Sequence, residues 1–120
     1  LQAASLEGDE ETAHILLEIG VDVNTEAQPY GTALHAASVS GHYPVVCMLL
    51  AYGASVNSQS GMYGTPLRAA SLAGHADIVR LLLDNGAEID AQAGNYGSAL
   101  ATVKRWRGDF IRVKSGMSQT

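Results

Sequence analysis

Tyr30-Gly31-Thr32-Ala33-Leu34 recurs as Tyr63-Gly64-Thr65-Pro66-Leu67 and again as Tyr96-Gly97-Ser98-Ala99-Leu100, each copy 33 residues after the last. The register holds outward from that stretch in both directions. Ala36-Ala37-Ser38 matches Ala69-Ala70-Ser71 and, one period earlier, Ala3-Ala4-Ser5. Gly41-His42 matches Gly74-His75, with Gly8-Asp9 in the first copy. Met48-Leu49-Leu50 matches Leu81-Leu82-Leu83 and Ile15-Leu16-Leu17, and Gly53-Ala54 matches Gly86-Ala87, with Gly20-Val21 before them. A fixed period of this length marks a repeat architecture, in which each unit packs only on its neighbours.

Each copy reads as two short helices and a loop. Thr32, Thr65 and Ser98 stand where a hydroxyl accepts from a free amide at a helix start, and Pro66 follows at the first helical position, where its missing N–H costs nothing. The first helix runs about seven residues and is lined with Ala, so neighbouring backbones can approach; Gly41 and Gly74 stop it. The second carries Val45, Val46, Met48, Leu49 and Leu50 in one copy and Ile78, Val79, Leu81, Leu82 and Leu83 in the next, a broad apolar stripe at helical spacing. Asp9, Glu10, Glu11 and Asp77 are expected in its first turn, at the positive end of the dipole. Gly20, Gly53 and Gly86 are expected to close it in the left-handed conformation. Helices of about ten residues or fewer are marginal alone in water, so each pair must bury its stripe against the next. The expected fold is an all-α solenoid.

These residues resemble the ankyrin repeat. The family's helix-opening T-P-L-H appears as Thr65-Pro66-Leu67-Arg68 and Thr32-Ala33-Leu34-His35, and its G-H as Gly41-His42 and Gly74-His75. Its apolar run followed by G-A-D-V-N appears as Leu49-Leu50 then Gly53-Ala54-Ser55-Val56-Asn57, and as Leu81-Leu82-Leu83 then Gly86-Ala87-Glu88-Ile89-Asp90. The resemblance implies an ankyrin-repeat α-solenoid of stacked helix-turn-helix pairs with hairpin loops. Its expected extent is 1-103: a truncated first repeat 1-29, full repeats 30-62 and 63-95, and a partial repeat 96-103. The Tyr-Gly before the Thr, with Gln-Ser-Gly or Gln-Ala-Gly in the turn, is similar to arrays of fungal NACHT-ankyrin multidomain proteins. The first copy lacks its hairpin and cap, so the array is expected to be cut at Leu1, which is not expected to be a natural start. Neither end shows a polar capping repeat, an expectation of modest stability.

The chain has 120 residues and a net charge of −5, but the charge is unevenly placed. Residues 1–100 hold eleven acids and two bases, a net −9, whereas 101–120 hold five bases and one acid, a net +4. At 47% apolar residues the chain is too hydrophobic for a disordered polymer. No apolar run approaches the roughly 18 residues of a membrane span, so no membrane partner is expected. A lone Cys47 excludes an intrachain disulfide framework and a Cys-built zinc site.

Catalysis finds little support. His42 and His75 recur one period apart, and the resemblance implies structural hydrogen bonds for them and for His35. His14 shares a column with Cys47 and Arg80, whose variety suggests a solvent-facing position. Metal ligands must converge, and residues 33 apart lie a whole repeat from one another. Asp9, Glu10 and Glu11 read as a solvated helix start, and Cys47 has no marked base partner. Gly61-Met62-Tyr63-Gly64 lacks the Lys-Ser/Thr of a phosphate-binding loop and reads as a hairpin. The chain is therefore expected not to be an enzyme, with no cofactor, metal or small-molecule substrate.

Partner-binding candidates come from two groups. Tyr30, Tyr63 and Tyr96 form a row at the hairpin tips. Aromatic rings with a polar end are common interface anchors, while strict recurrence favours rings packed on the neighbouring hairpin as scaffold. Positions that vary while the frame stays fixed are Leu6-Glu7, Val39-Ser40 and Leu72-Ala73 at the first-helix ends, with Glu26, Gln59 and Gln92 in the loop. The resemblance implies that these line a concave groove for a protein partner, here of basic character given the −9 array. The basic tail 104–120 places Lys104, Arg105 and Arg107 around Trp106, a composition that can contact phosphates and bases. The acidic array would repel a polyanion, so nucleic-acid contact through the tail is the weaker alternative. Trp106 and Phe110 are expected to cover the end of the last complete repeat, grading into disorder. The expectation is a monomeric protein-interaction module inside the cell, in the cytoplasm with the nucleus left open. The alternative is the recognition arm of a larger NACHT-type signalling protein.

Overall fold

The computed structural model describes residues 1–89. Gln92, Tyr96, Ser98, the partial fourth copy and the basic tail lie outside the described residues. Six helices follow in order: α1 (Gln2–Glu7), α2 (Glu10–Glu18), α3 (Ala33–Ser40), α4 (Tyr43–Ala51), α5 (Pro66–Ala73) and α6 (Ala76–Asp84). The repeat register therefore places a short first helix and a nine-residue second helix in each of three copies. Among the described residues the extended segments amount to two isolated bridges, Ala27 to Gly31 and Ser60 to Gly64.

The caps fall where the hydroxyls predicted them. Thr32 accepts from the His35 amide and Thr65 from the Arg68 amide, while Pro66 occupies the first position of α5. Gly8, Gly41 and Gly74 end the first helices in the left-handed conformation. The second helices end in Schellman motifs: the residue after each glycine donates back across the turn, as Ala54 N–H does to Leu49 and Gly53 N–H to Leu50. One position differs from expectation. Asp9 stands before α2 as its N-cap rather than inside the first turn, because its carboxylate takes both the Thr12 hydroxyl (2.8 Å) and the Thr12 amide (3.1 Å). Those two donors hold the Asp9 carboxyl below its usual pKa. Glu10, Glu11 and Asp77 do fall in first turns.

The helices form two layers. α1 packs on α3 and α3 on α5; behind them α2 packs on α4 and α4 on α6. Alanines make the first layer close: Ala33, Ala36, Ala37, Ala69 and Ala70 are all buried. The second layer supplies the bulk, with Val45, Val46, Leu49, Ile78, Val79 and Leu82 wholly buried together with Leu34 of the first layer. Burial depends on the neighbour as well as the residue. Leu49 and Leu82 are fully covered, whereas Leu16, at the same repeat position in the first copy, is only half-buried. Thr12 is likewise exposed where Val45 and Ile78 are buried.

Candidate functional site

A surface for a partner must first be held rigid, and the recurring polar residues do this across the repeat junctions. Each helix leaves carbonyls without partners at its C-terminal end. His42 Nε2–H donates to the Leu6 carbonyl of the preceding copy at 3.0 Å, and His75 Nε2–H to the Val39 carbonyl at 3.2 Å. The same rings press on the glycine caps. A Cβ on Gly41 would lie 2.6 Å from His75 Cε1, and φ there is +83°, so both the backbone and the neighbour demand glycine.

A second junction, not foreseen from the sequence, uses asparagine. Asn24 Oδ1 accepts from the Ser55 amide (2.8 Å) and its Nδ2 donates to the Gly53 carbonyl (3.3 Å). Asn57 repeats the clamp one copy on, to the Glu88 amide (2.8 Å) and the Gly86 carbonyl (3.1 Å). The signal was present as the column Asn24, Asn57 and Asp90 at the repeat spacing.

The hairpins are joined backbone to backbone. Met62 N–H donates to the Pro29 carbonyl at 2.8 Å, and Gly61, at φ +72°, faces the Tyr30 carbonyl so closely that a Cβ would lie 2.4 Å from it. His35 ties this layer to α3. Its Nδ1 accepts from the Thr32 amide (3.1 Å), which leaves the proton on Nε2, and Nε2–H donates to the Gly64 carbonyl of the next hairpin (2.8 Å). The ring is fully buried.

Burial holds the His35 pKa below its ordinary value near 6.5, outweighing the Gly64 carbonyl, the Ser58 backbone and the Glu26 carboxylate, which favour the charged form. A protonated Nδ1 could no longer accept from Thr32. Because the unfolded chain binds the proton more readily, the stability given by neutral His35 is complete above about pH 6.5 and falls as pH drops below it. Urea unfolding at pH 7.5 and 5.5 checks the sign: the midpoint is expected to be lower at pH 5.5, and an equal or higher midpoint would contradict it.

A family model, ankyrin repeats in three copies, matches residues 1–93. The chain belongs to the ankyrin-repeat family. No curated protein matches it. Ankyrin repeats are in general protein–protein interaction modules, and that general role sets how the surface is read.

In this ankyrin array the candidate residues fall into two rows. Leu6-Glu7, Val39-Ser40 and Leu72-Ala73 end α1, α3 and α5, which lie side by side. Glu7, Leu72 and Ala73 are exposed, and Leu6, Val39 and Ser40 are half-buried. Glu26 and Gln59 are exposed just before the hairpin bridges, and Tyr30 and Tyr63 are half-buried within the hairpins. An eight-residue first helix separates the rows by about 12 Å.

His14, Cys47 and Arg80 are all exposed, as their variable column suggested. His14 Nε2 lies 3.3 Å from Glu18 on the same helix. Among the described residues no group of three His, Cys, Asp or Glu is placed to hold a metal ion, and no helix is long and apolar enough to cross a membrane.

Proposed function

We propose that the array binds a protein partner across the two rows, with hairpin residues Tyr30, Tyr63, Glu26 and Gln59 on one side and Leu6, Glu7, Val39, Ser40, Leu72 and Ala73 on the other. The observation that carries this reading is a division of labour. The recurring side chains of His42, His75, Asn24 and Asn57 make bonds across repeat junctions, and of the varying positions Glu7, Glu26, Gln59, Leu72 and Ala73 are exposed. A frame built from recurring residues can keep its shape while the accessible ones are chosen for a partner. The mechanism is complementarity on a pre-formed surface, with little ordering needed on binding.

Charge narrows the partner's chemistry. Residues 1–89 carry ten acids against Arg68 and Arg80, so a partner of basic character is favoured, and its association should slow as salt rises. Nothing in this reading requires catalysis, consistent with a family that is in general an interaction scaffold.

Site-specific photo-crosslinking tests it. A benzoylphenylalanine introduced at Leu72 or Gln59 is expected to give a discrete adduct in an extract of the cells that make the protein. The same probe at Glu10, exposed on α2, should give none. Adducts from Glu10 alone, or equally from all three positions, would place the partner elsewhere.

A further inference from the structure

Three histidines bond across the repeat junctions, and His35 does so differently from the other two. His42 and His75 each donate from Nε2–H, to the Leu6 and Val39 carbonyls. A second proton on either ring would leave that bond in place. His35 uses both nitrogens: Nδ1 accepts from the Thr32 amide (3.1 Å) and Nε2–H donates to the Gly64 carbonyl (2.8 Å). A proton added at Nδ1 would face a donor, so the Thr32 bond cannot survive it. The ring is fully buried, and a charge formed there in the closed structure would have no water around it.

His35 also stands where two hairpins meet. Nδ1 is tied to Thr32, which follows the Ala27 to Gly31 bridge, and Nε2 to Gly64, which closes the Ser60 to Gly64 bridge. Gly31 is wedged between them: a Cβ there would lie 2.6 Å from Ser60 Oγ and 3.1 Å from His35 Nδ1. At the same repeat position the neighbouring copies have Gln2 and Arg68. Gln2 Nε2 donates to the Thr25 carbonyl at 2.7 Å, so an uncharged amide serves in the first copy. Of the three residues, only histidine ordinarily titrates near neutral pH.

Few charges surround the ring. Glu26 in the first hairpin favours its protonation. Arg68 of α5 opposes a second cation: its Nη1 lies 4.0 Å from the place of a Cβ on Gly64, and it has an interaction of its own. Glu7 stands at the opposite end of α1, and His42 and His75 meet α3 at its C-terminal end. The other titratable groups on the packed elements are the phenols of Tyr30, Tyr43 and Tyr63 and the Cys47 thiol; α4 and residues 58–65 carry no acid, lysine or arginine.

From this geometry we infer that His35 is an acid-operated latch: a proton at Nδ1 parts the 27–31 and 60–64 hairpins while the helix stack stays closed. Opening gives water to the imidazolium and to the Thr32 amide, and the closed joint supplies neither. The helices keep their own bonds and their shared apolar cluster, so the stack does not need the latch. Loss of stability in acid does not say where the structure gives way; the two bonds of His35 do. The hairpins carry Tyr30 and Tyr63, but the latch stands whatever those side chains touch.

Amide hydrogen exchange of the full ¹⁵N-labelled chain at pH 7.5 and 5.0, corrected for the intrinsic rate at each pH, tests it. Protection of the Gly31, Thr32 and Met62 amides is expected to fall about tenfold at pH 5.0, because opening then takes up a proton. It should also stay below that of Leu82, fully buried in α6, at both pH values. In His35→Gln, which borrows the residue of the first copy, the same hairpin amides should be equally protected at both. If that variant does not fold, the comparison with Leu82 in the unaltered chain carries the test. Hairpin protection that ignores pH, or that falls until it equals that of Leu82, would overturn the inference, the second result because the whole chain would be unfolding. An equal loss in His35→Gln would overturn it too, by placing the proton on another group.

Discussion

Leu49→Ala is expected to lower the unfolding free energy by about 3 kcal/mol, with the urea midpoint shifted and the slope unchanged. Leu49 is fully covered in α4, inside a cluster that includes Leu17, Val46, Ile78 and Leu82. Removing it leaves a cavity that the close-packed neighbours on both sides fill only in part. The comparison residue is Leu16, one period earlier and half-buried. The same substitution there should lose only about 1 kcal/mol. A difference of this size between chemically identical changes follows from burial by neighbours. Equal losses at the two positions would show that the stacking interface does not govern burial as described.

Gly61→Ala carries the second large effect, about 3 kcal/mol or more. Its φ of +72° alone strains any L-residue by roughly 1 kcal/mol. The larger part comes from contact: the added Cβ would fall 2.4 Å from the Tyr30 carbonyl carbon and oxygen and 2.6 Å from the Gly31 amide nitrogen. These are backbone atoms and cannot swing aside as a side chain can. The hairpins must separate, which also breaks the Met62 N–H to Pro29 bond and pulls on the His35 link to Gly64. Gly53→Ala separates the two contributions, since Gly53 has φ +90° with nothing near the site of its Cβ. It should lose only the conformational part, about 1 kcal/mol. Thermal unfolding of the two variants side by side measures the difference.

Much of this architecture is legible in the 33-residue period, because periodicity reports which residues share an environment. The period placed all six helices, and the hydroxyls of Thr32 and Thr65 and the glycines at 41 and 74 marked where first helices begin and end. What the period cannot report is the partner of each recurring group. That His42 matters could be read from its recurrence with His75, but its bond to the Leu6 carbonyl crosses a junction 36 residues back. The Asn24 and Asn57 clamp is illegible in the sequence for the same reason: an asparagine after a Val reads as a loop residue, and its two bonds go to the next copy. Asp9 was misplaced by one position because an acid near a helix start suits both the dipole and the cap, and only the Thr12 contacts decide between them.

The proposed surface is argued from variation between copies, which says nothing of its occupant. Frame positions are fixed by packing and hydrogen bonding that repeat in every copy. Leu6-Glu7, Val39-Ser40 and Leu72-Ala73 differ between copies, which is the reason they are proposed as contact positions.

The central claim is that recurring residues hold the stack and varying ones do not. Its most direct test is urea unfolding of two multiple variants, Asn24→Ala/Asn57→Ala and Glu26→Ala/Gln59→Ala/Leu72→Ala. The first removes four bonds between neighbouring copies and is expected to lose about 2 kcal/mol. The second alters only exposed, varying positions and should leave stability within about 0.5 kcal/mol of the parent. A triple variant as destabilised as the double, or a double variant as stable as the parent, would contradict the account.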